Sequence, residues 1–341
     1  MSSTIQQAKE RVWSFYQALD AAQGNDVESV FETHCAERYF FRGCHPFNEQ
    51  GAAKGVIDSL WLPLKQAFRR LQRRQDVFIA GTNSLEQDDS VWVISMGHLM
   101  GLFDEDWLGI QKTGRMAFLR YCEFTQVVDG KIAQSAFFAD IPGVMVQAGQ
   151  NPFPPQSGAQ LIQPGPITHD GIARDTQSIE EGEKTLAAIN KMISDLGNWD
   201  NALSLEDELA LSWHDDMIWW GPTGIGASYT IERYAKQHSG IFRNSFSERI
   251  FNGHVCKFAE GHFGGFFGWP NLTLKPSGGF MGMPANDKHF DMRVIDIYRR
   301  DGDKLAENWV FIDLLHYFYQ QGVDVLVRNA QLGAANQSNI K

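Results

Sequence analysis

Apolar residues recur with the period of an amphipathic helix near the start of each half of the chain. These helices are predicted from Ile5 to Leu19 and from Glu180 to Leu196. In each half a short second helix, a strand and a third helix follow. The strands are predicted from Tyr39 to Phe41 and from Met217 to Trp220, and the third helices from Val56 to Leu71 and from Thr230 to Phe242.

A run of strands closes each half. In the first half it includes Val91 to Phe103 and Phe118 to Val127. The last two strands of each half meet at an Asp-Gly pair, at Asp129-Gly130 and at Asp301-Gly302, which is a strong hairpin signal. Helices followed by an antiparallel meander predict an α+β domain whose helices pack on one face of a curved sheet. Such a sheet forms a cone whose mouth can hold a small molecule.

The two halves are copies of one another. Residues 109–149 align without a gap on residues 282–322, at an offset of 173 positions. Lys131, Asp140 and Gly149 coincide with Lys304, Asp313 and Gly322 in this alignment. An earlier block that begins Gly97-His98 reappears at Gly261-His262, which makes the second copy nine residues longer between the two blocks. Self-similarity over so much of both halves predicts a tandem repeat.

The repeat divides the chain into four segments. Residues 1–150 and 178–330 are predicted as the two domains, each a cone-shaped α+β fold of helices on a mostly antiparallel sheet. Residues 151–177 form a Pro/Gly-rich linker, since residues 150–177 hold five of the twelve prolines. Residues 331–341 form a polar tail.

Charge and composition limit the partners. The formal net charge of −11 argues against nucleic acid or an anionic membrane, because both require a basic face. The basic run Arg69–Arg74 is expected at a solvated helix end. The four cysteines show no CxxC spacing, so we expect neither a metal site nor a disulfide framework. With a polar N-terminus and no apolar span, a cytoplasmic location is expected.

A set of motifs in the second copy resembles the SnoaL-like polyketide cyclases, a family of the nuclear transport factor 2-like superfamily. The motifs are Gly282-Met283-Pro284-Ala285, Asp301-Gly302-Asp303-Lys304-Leu305, Glu307-Asn308-Trp309, Asp313 and Gln320-Gln321-Gly322. The resemblance covers most of residues 180–327 and, more weakly, 5–150. It implies ring closure by an intramolecular aldol step in an apolar cavity, without a metal or a cofactor.

The resemblance also implies where the catalytic groups should lie. The family's carboxylate falls on Val310 in the second copy and on Phe137 in the first, and its helper histidine falls on Asp296 and Glu123. Neither copy therefore keeps the family's acid–base pair. In the register that the resemblance implies, Asp296 and Glu123 point into the cone among apolar neighbours, where burial should raise their pKa. The alternative for each is a structural acid paired with an arginine.

The second copy is the better candidate for an active site. Asp296 is its expected acid or base, with Asn308 or His262 polarising a carbonyl group. The expected substrate-binding residues, each with a structural alternative such as core packing, ion pairing or helix capping, are Trp220, Trp269, His289, Arg293, Trp309 and Asp313. In the first copy, His98 is the counterpart of His262, Arg120 of Arg293, Asp140 of Asp313 and Glu123 of Asp296.

Two functions from different classes fit these residues. One is a cofactor-free cyclase or isomerase that acts on a small hydrophobic carbonyl compound. The other is a non-catalytic binding protein for a hydrophobic metabolite, which has lost the cyclase pair. A purely structural role would require both cones to be filled by side chains. We expect the two copies to pair as a pseudo-dimer within one chain, with further homodimerisation left open.

Overall fold

The computed structural model describes residues 2–85, 90–197 and 203–338. The chain forms two compact units. Unit 1 comprises Met1–Thr82, Glu86–Pro152 and Asp313–Lys341, and unit 2 comprises Asn83–Leu85 and Phe153–Ile312. Each unit contains its own sheet together with helices, so the predicted α+β fold in two copies is confirmed.

Unit 1 begins with two helices whose apolar faces turn inward. Its helices are α1 (Ser2–Ala21), α2 (Asp26–His34), α3 (Ala53–Val56), α4 (Leu62–Ala67) and α5 (Ile141–Gln147), with a π-helical turn at Ile57–Trp61 between α3 and α4. Its strands are β1 (Cys35–Gly43), β2 (Asn48–Gln50), β3 (Phe68–Thr82), β4 (Val91–Phe103), β5 (Met116–Val128) and β6 (Lys131–Ala139). The strand order is β2-β1-β6-β5-β4-β3, and the β1–β6 pair is parallel. Helix α1 packs against β3 and β4.

Unit 2 repeats this order of elements. Its helices are α6 (Ile179–Gly197), α7 (Leu205–Ala210), α8 (Ile231–Tyr234) and α9 (Gly240–Asn244), with a π-helical turn at Ala235–Ser239 and a 3₁₀ turn at Phe280–Gly282. Its strands are β7 (Trp213–Trp220), β8 (Ser228–Tyr229), β9 (Phe246–Phe251), β10 (Cys256–Glu260), β11 (Phe263–Pro276), β12 (Phe290–Asp301) and β13 (Lys304–Ile312). The order is β10-β11-β12-β13-β7-β8, and β9 also pairs with β11.

The edge of the sheet differs between the units. In unit 1, β3 pairs with β4 along its length. In unit 2, two shorter strands, β9 and β10, pair with β11, and residues 252–255 lie between them.

Both predicted Asp-Gly hairpins are confirmed. Asp129 and Gly130 join β5 to β6 with φ values of 49° and 71°, the left-handed conformation that a tight hairpin turn requires. Gly302, with φ 57°, lies in the turn between β12 and β13.

The basic run Arg69–Arg74 does not lie at a helix end, so that prediction is wrong. Helix α4 ends at Ala67, and the run belongs to β3. The strand brings the side chain of Arg73 into the interior, where only 2% of it is exposed.

The sheet register corrects one part of the repeat alignment. Gly97 on β4 lies opposite Tyr121 of β5, and Gly268 on β11 lies opposite Val294 of β12. Since Tyr121 and Val294 are equivalent under the offset of 173, Gly97 corresponds to Gly268 and not to Gly261. Gly261 and His262 form the turn between β10 and β11.

The last part of the chain belongs to unit 1. Helix α10 (Leu314–Gln320) and helix α11 (Val325–Ser338) lie there. The Asp313 carboxylate accepts hydrogen bonds from the backbone N–H groups of His45 and His316, the latter as an N-cap of α10. Asn329 of α11 donates a hydrogen bond of 2.7 Å to Gln150. Among the described residues, no helix is long and apolar enough to cross a membrane.

Candidate functional site

Unit 2 contains a cavity of about 360 Å³. Helix α6 forms part of its wall with Met192 and Ile193, and the sheet contributes Phe266 and Met292, among other residues. Most of the side chains around it are apolar or aromatic. A cavity of this size and character is suited to a small hydrophobic molecule.

Asp296 lies in the wall of this cavity, directly across the sheet from Val310, which also lines it. The Asn308 side-chain amide donates a hydrogen bond of 3.2 Å to the Asp296 carboxyl group, and the Tyr298 hydroxyl donates another. Burial raises the pKa of Asp296 to about 7, although both hydrogen bonds stabilise the ionised form and oppose the shift. Asp296 can therefore both accept and donate a proton near neutral pH.

Two tyrosines keep their protons beside this carboxyl group. Burial and the charge of Asp296 raise the pKa of both Tyr234 and Tyr298. Their hydroxyl groups therefore stay neutral and can donate hydrogen bonds. Together with the Asn308 amide they supply donors around Asp296, as a site that stabilises a developing oxyanion needs.

An aromatic stack forms another part of the wall. The rings of Trp219 and His238 lie 3.9 Å apart at an interplanar angle of 16°. Burial lowers the pKa of His238 to about 3, so its imidazole is neutral at physiological pH. Regular helical spacing does not predict His238 at this site, because the π-helical turn that places it in the cavity breaks that spacing.

A second neutral histidine lines the cavity. His254 lies between β9 and β10, where its ring stacks on Phe266 at 4.0 Å and its Nδ1 is 3.2 Å from the Asn271 amide. Burial and the nearby Lys257 lower the pKa of His254 to about 4. His254 was not predicted either, since the sequence pattern does not indicate that the sheet edge is split between β9 and β10.

Two arginines belong to the same wall, Arg243 from α9 and Arg249 from β9. Arg243 forms a bidentate ion pair with Glu208, through contacts of 2.9 and 2.5 Å. Arg249 donates a hydrogen bond of 3.3 Å to the Gly197 carbonyl oxygen, at the end of α6.

The other predicted site residues of the second copy do not line the cavity. His262 is 3.9 Å from Glu181, and His289 is 3.0 Å from Glu248. Trp309 is buried and donates a hydrogen bond to the Pro164 carbonyl oxygen. The other predicted site residues that lie outside the cavity wall are Trp220 at the end of β7, Trp269, Arg293 and Asp313, the last of which belongs to unit 1.

Trp269 and Arg293 contact one another outside the cavity. The Arg293 guanidinium lies 3.8 Å from the centre of the Trp269 ring. This geometry is that of a cation–π contact. In unit 1 the equivalent positions are His98 and Arg120, which pair across β4 and β5.

The equivalent of Asp296 in unit 1 is Glu123, and it is enclosed by side chains. The Tyr16 hydroxyl donates a hydrogen bond of 2.8 Å to Glu123. The Arg73 guanidinium lies 4.0 Å from the centre of the Tyr16 ring and pairs with Asp20 at 3.2 Å. Burial raises the pKa of Glu123, while Arg73 and the Tyr16 hydrogen bond partly offset this. A surface depression of unit 1 near Glu28 and Lys54 does not include Glu123.

The other unit 1 candidates form a separate polar group. His98 Nδ1 is 3.5 Å from the Asp76 carboxylate. Burial lowers the pKa of Arg120 to about 10, and the charge of Asp140 opposes this shift. Asp140 also caps α5 by accepting a hydrogen bond from the Gly143 N–H group. Within residues 2–85, 90–197 and 203–338, no three His, Cys, Asp or Glu side chains form a group that could hold a metal ion.

The described residues form two α+β units, and the second unit contains a mostly apolar cavity. Residues 271–321 match the family model of the SnoaL-like polyketide cyclases, so the resemblance is confirmed over this segment. The matched segment includes Asp296, Tyr298 and Asn308. No curated protein matches the chain.

Solved structures of similar proteins each align with part of the chain. A candidate SnoaL-like polyketide cyclase from Jannaschia sp. CCS1 is 20% identical, with 41% of this chain and 90% of that one covered and a TM-score of 0.32. IdmH, a candidate polyketide cyclase from Streptomyces antibioticus, is 15% identical over 40% and 97% of the two chains, at a TM-score of 0.32. An LEH-like epoxide hydrolase from M. tuberculosis is 13% identical, with 46% of this chain and 98% of that one covered and a TM-score of 0.30.

Proposed function

We propose that the unit 2 cavity is the site of a cofactor-free cyclase or isomerase that acts on a small hydrophobic carbonyl compound. The observation that supports this most is the position of Asp296. Its carboxyl group lines an apolar cavity, is held by Asn308 and Tyr298, and has its pKa raised to about 7. The SnoaL-like match over residues 271–321 supports the same class of reaction.

The chemistry follows from these groups. The ionised Asp296 removes a proton from the carbon next to a substrate carbonyl, which leaves an enolate and a protonated Asp296. Once Asp296 is protonated, the Tyr298 O–H or the Asn308 N–H that had donated to its carboxylate can turn to the enolate oxygen, and the Tyr234 hydroxyl is a third donor nearby. In ring closure, the enolate carbon attacks a second carbonyl carbon of the same molecule, and Asp296 returns its proton to the new alkoxide. In isomerisation, the proton returns to a different carbon.

A non-catalytic binding role is the second candidate. The residue that faces Asp296 across the sheet is Val310, so the cavity lacks the carboxylate that the family resemblance places there. A protein that had lost this group would still bind a hydrophobic metabolite. The two candidates differ in whether Asp296 moves a proton.

Deuterium exchange separates the two functions. 2-Tetralone, an uncharged bicyclic ketone, is incubated with the protein in D₂O at neutral pH, and loss of its C1 proton signal is followed by NMR. We expect the protein to accelerate the exchange, and Asp296→Asn to slow the accelerated rate by about 10²-fold, the lower end of the usual contribution of acid–base catalysis. Asp303→Asn, an exposed acid outside the cavity, is the matched control.

Two results would contradict the catalytic proposal. One is an exchange rate that Asp296→Asn leaves unchanged. The other is 2-tetralone that binds, as shown by quenching of tryptophan fluorescence, while its exchange stays at the buffer rate. The second result would support the binding role.

A further inference from the structure

His238 is a polar group of the cavity wall whose hydrogen-bonding capacity the protein does not use. Its ring contacts the rings of Trp219, Tyr234 and Phe242, at centroid distances of 3.9, 5.6 and 5.8 Å. Among the described residues, neither ring nitrogen of His238 has a hydrogen-bond partner. Since the imidazole is neutral, it presents one N–H donor and one bare nitrogen. Both are available to a molecule in the cavity.

The stack on Trp219 does not involve these nitrogens. Stacking uses the faces of the two rings, which lie at 16° to one another, whereas the nitrogens lie at the edge of the imidazole. A phenylalanine could form the same stack without bringing polar atoms to the cavity. Because a polar group without a partner costs free energy away from water, an imidazole here indicates that the occupant of the cavity supplies the partner.

The other histidine of the wall, His254, is less suited to this role. The Oδ1 atom of Asn271 accepts a hydrogen bond of 2.8 Å from the Val294 backbone N–H, so the Asn271 amide N–H group points to Nδ1 of His254. The proton of this imidazole therefore lies on Nε2, which is buried and has no hydrogen-bond partner. A ligand does not reach that atom in this conformation, whereas His238 is partly accessible.

His238 and Asp296 lie close enough along the wall for one small ligand to contact both. Trp219, on which His238 stacks, pairs across the sheet with Asn308, and the Asn308 amide holds Asp296. Tyr234 lies one turn before His238, and the charge of Asp296 raises its pKa. His238 is thus separated from the carboxyl group by single side chains on either route.

We propose that a ring N–H of His238 donates a hydrogen bond to the carbonyl oxygen of the ligand, while the adjoining carbon lies against Asp296. The inference rests on the proposed function, because it names a further residue that binds the ketone in the same cavity. A neutral imidazole suits this role, since it can donate to a carbonyl oxygen without placing a charge in an apolar cavity. A few fixed polar groups in an otherwise apolar wall are what orient a ligand.

The experiment compares two probes of nearly the same shape, 2-tetralone and its hydrocarbon analogue tetralin, which lacks the carbonyl group. Binding to the full chain is measured by isothermal titration calorimetry at pH 7. The quantity of interest is the dissociation constant of tetralin divided by that of 2-tetralone. In His238→Phe, which keeps an aromatic ring beside Trp219, we expect this ratio to fall about tenfold, as the loss of one hydrogen bond predicts.

Two further variants isolate the N–H group. His238→Leu lacks both the ring and the donor, and its ratio should fall as far as that of His238→Phe. A ratio that falls only in His238→Leu would show that the stack matters and the hydrogen bond does not. His214→Phe is the matched control, because His214 lies outside the cavity wall and donates to the Asp301 carbonyl oxygen. It should leave the ratio unchanged.

A ratio that survives His238→Phe would overturn the inference, and so would a wild-type protein that does not bind 2-tetralone. These results are distinguishable from a failure of the proposed function. If the wild type accelerates the exchange of 2-tetralone while His238→Phe keeps the ratio, only the inference fails. A ratio that falls in a protein without any exchange activity would support the inference and contradict the catalytic proposal.

Discussion

The same sheet position has opposite surroundings in the two units. Glu123 of unit 1 is covered by Tyr16 and Arg73, whereas Asp296 of unit 2 lines an open cavity. Both carboxyl groups have raised pKa values because both are removed from water. A raised pKa alone therefore does not distinguish a structural acid from a reactive one. What distinguishes the two acids is whether open space lies beside the carboxyl group.

The sheet edge accounts for much of this difference. In unit 1, β3 brings the long side chain of Arg73 into the centre. In unit 2, the edge is split between β9 and β10, and the intervening segment places the shorter His254 in the cavity wall. One fold thus has a filled centre or an open one according to how its edge strand is built.

Removing the cation that fills unit 1 should have the largest effect. Arg73→Met leaves Glu123 and Asp20 without their buried partner, so the free energy of unfolding should fall by about 3–5 kcal/mol in urea denaturation of the full chain. Adding Glu123→Gln should restore part of this loss, because a neutral amide needs no cation. A loss below about 1 kcal/mol, as for a surface ion pair, would contradict the filled-centre interpretation.

Neutralising Asp296 should have the next largest effect, and it should depend on pH. Between pH 4 and 7 the unfolded chain releases this proton while the folded chain retains it, so wild-type stability falls as pH rises. In Asp296→Asn this carboxyl group is absent, so the stability of the variant does not fall for this reason. Its stability relative to the wild type should rise by up to about 4 kcal/mol between pH 4 and pH 8.

Thermal unfolding across this pH range measures the effect. Asp303→Asn serves as the control and should follow the wild-type profile. A constant difference between Asp296→Asn and the wild type at all pH values would show that the Asp296 carboxyl group is not desolvated.

The smallest effect concerns the hydrogen bond that tunes Asp296. Because the Asn308 amide stabilises the ionised carboxylate, Asn308→Ala should raise the pKa of Asp296 further, by about one unit. The titration of the carboxyl carbon by NMR measures this shift. Asn190→Ala, which removes an amide outside the cavity, should leave the titration unchanged. A lower pKa in Asn308→Ala would show that solvation of the site outweighs this hydrogen bond.

Local patterns in the sequence predicted the architecture. The Asp-Gly pairs mark the last hairpin of each unit, because a two-residue hairpin demands residues that tolerate positive φ, as Asp129, Gly130 and Gly302 do. In unit 2 the two loop residues are Gly302 and Asp303, since Asp301 still pairs with Lys304. The resemblance supplied the register that points Asp296 into the cone, and the structure places Asp296 in the cavity wall.

What the sequence did not reveal depends on irregular backbone. Arg73 was assigned to a solvated helix end because nothing in its neighbours marks the start of β3 at Phe68. His238 and His254 reach the cavity from a π-helical turn and from a break in the sheet edge, and neither feature has a simple periodic signature. The match between the blocks that begin Gly97-His98 and Gly261-His262 was misleading, because the two segments have similar residues but different positions in the sheet register.

Residues from Asp313 onward belong to unit 1, and this affects the order in which the two units can fold during synthesis. Unit 2 has its whole sequence once Ile312 has been translated, whereas unit 1 still lacks Asp313 and the helices α10 and α11. Domains usually fold in the order in which the ribosome delivers them. Here the unit that is started first is finished last, and until then the backbone N–H of His45 lacks its Asp313 partner.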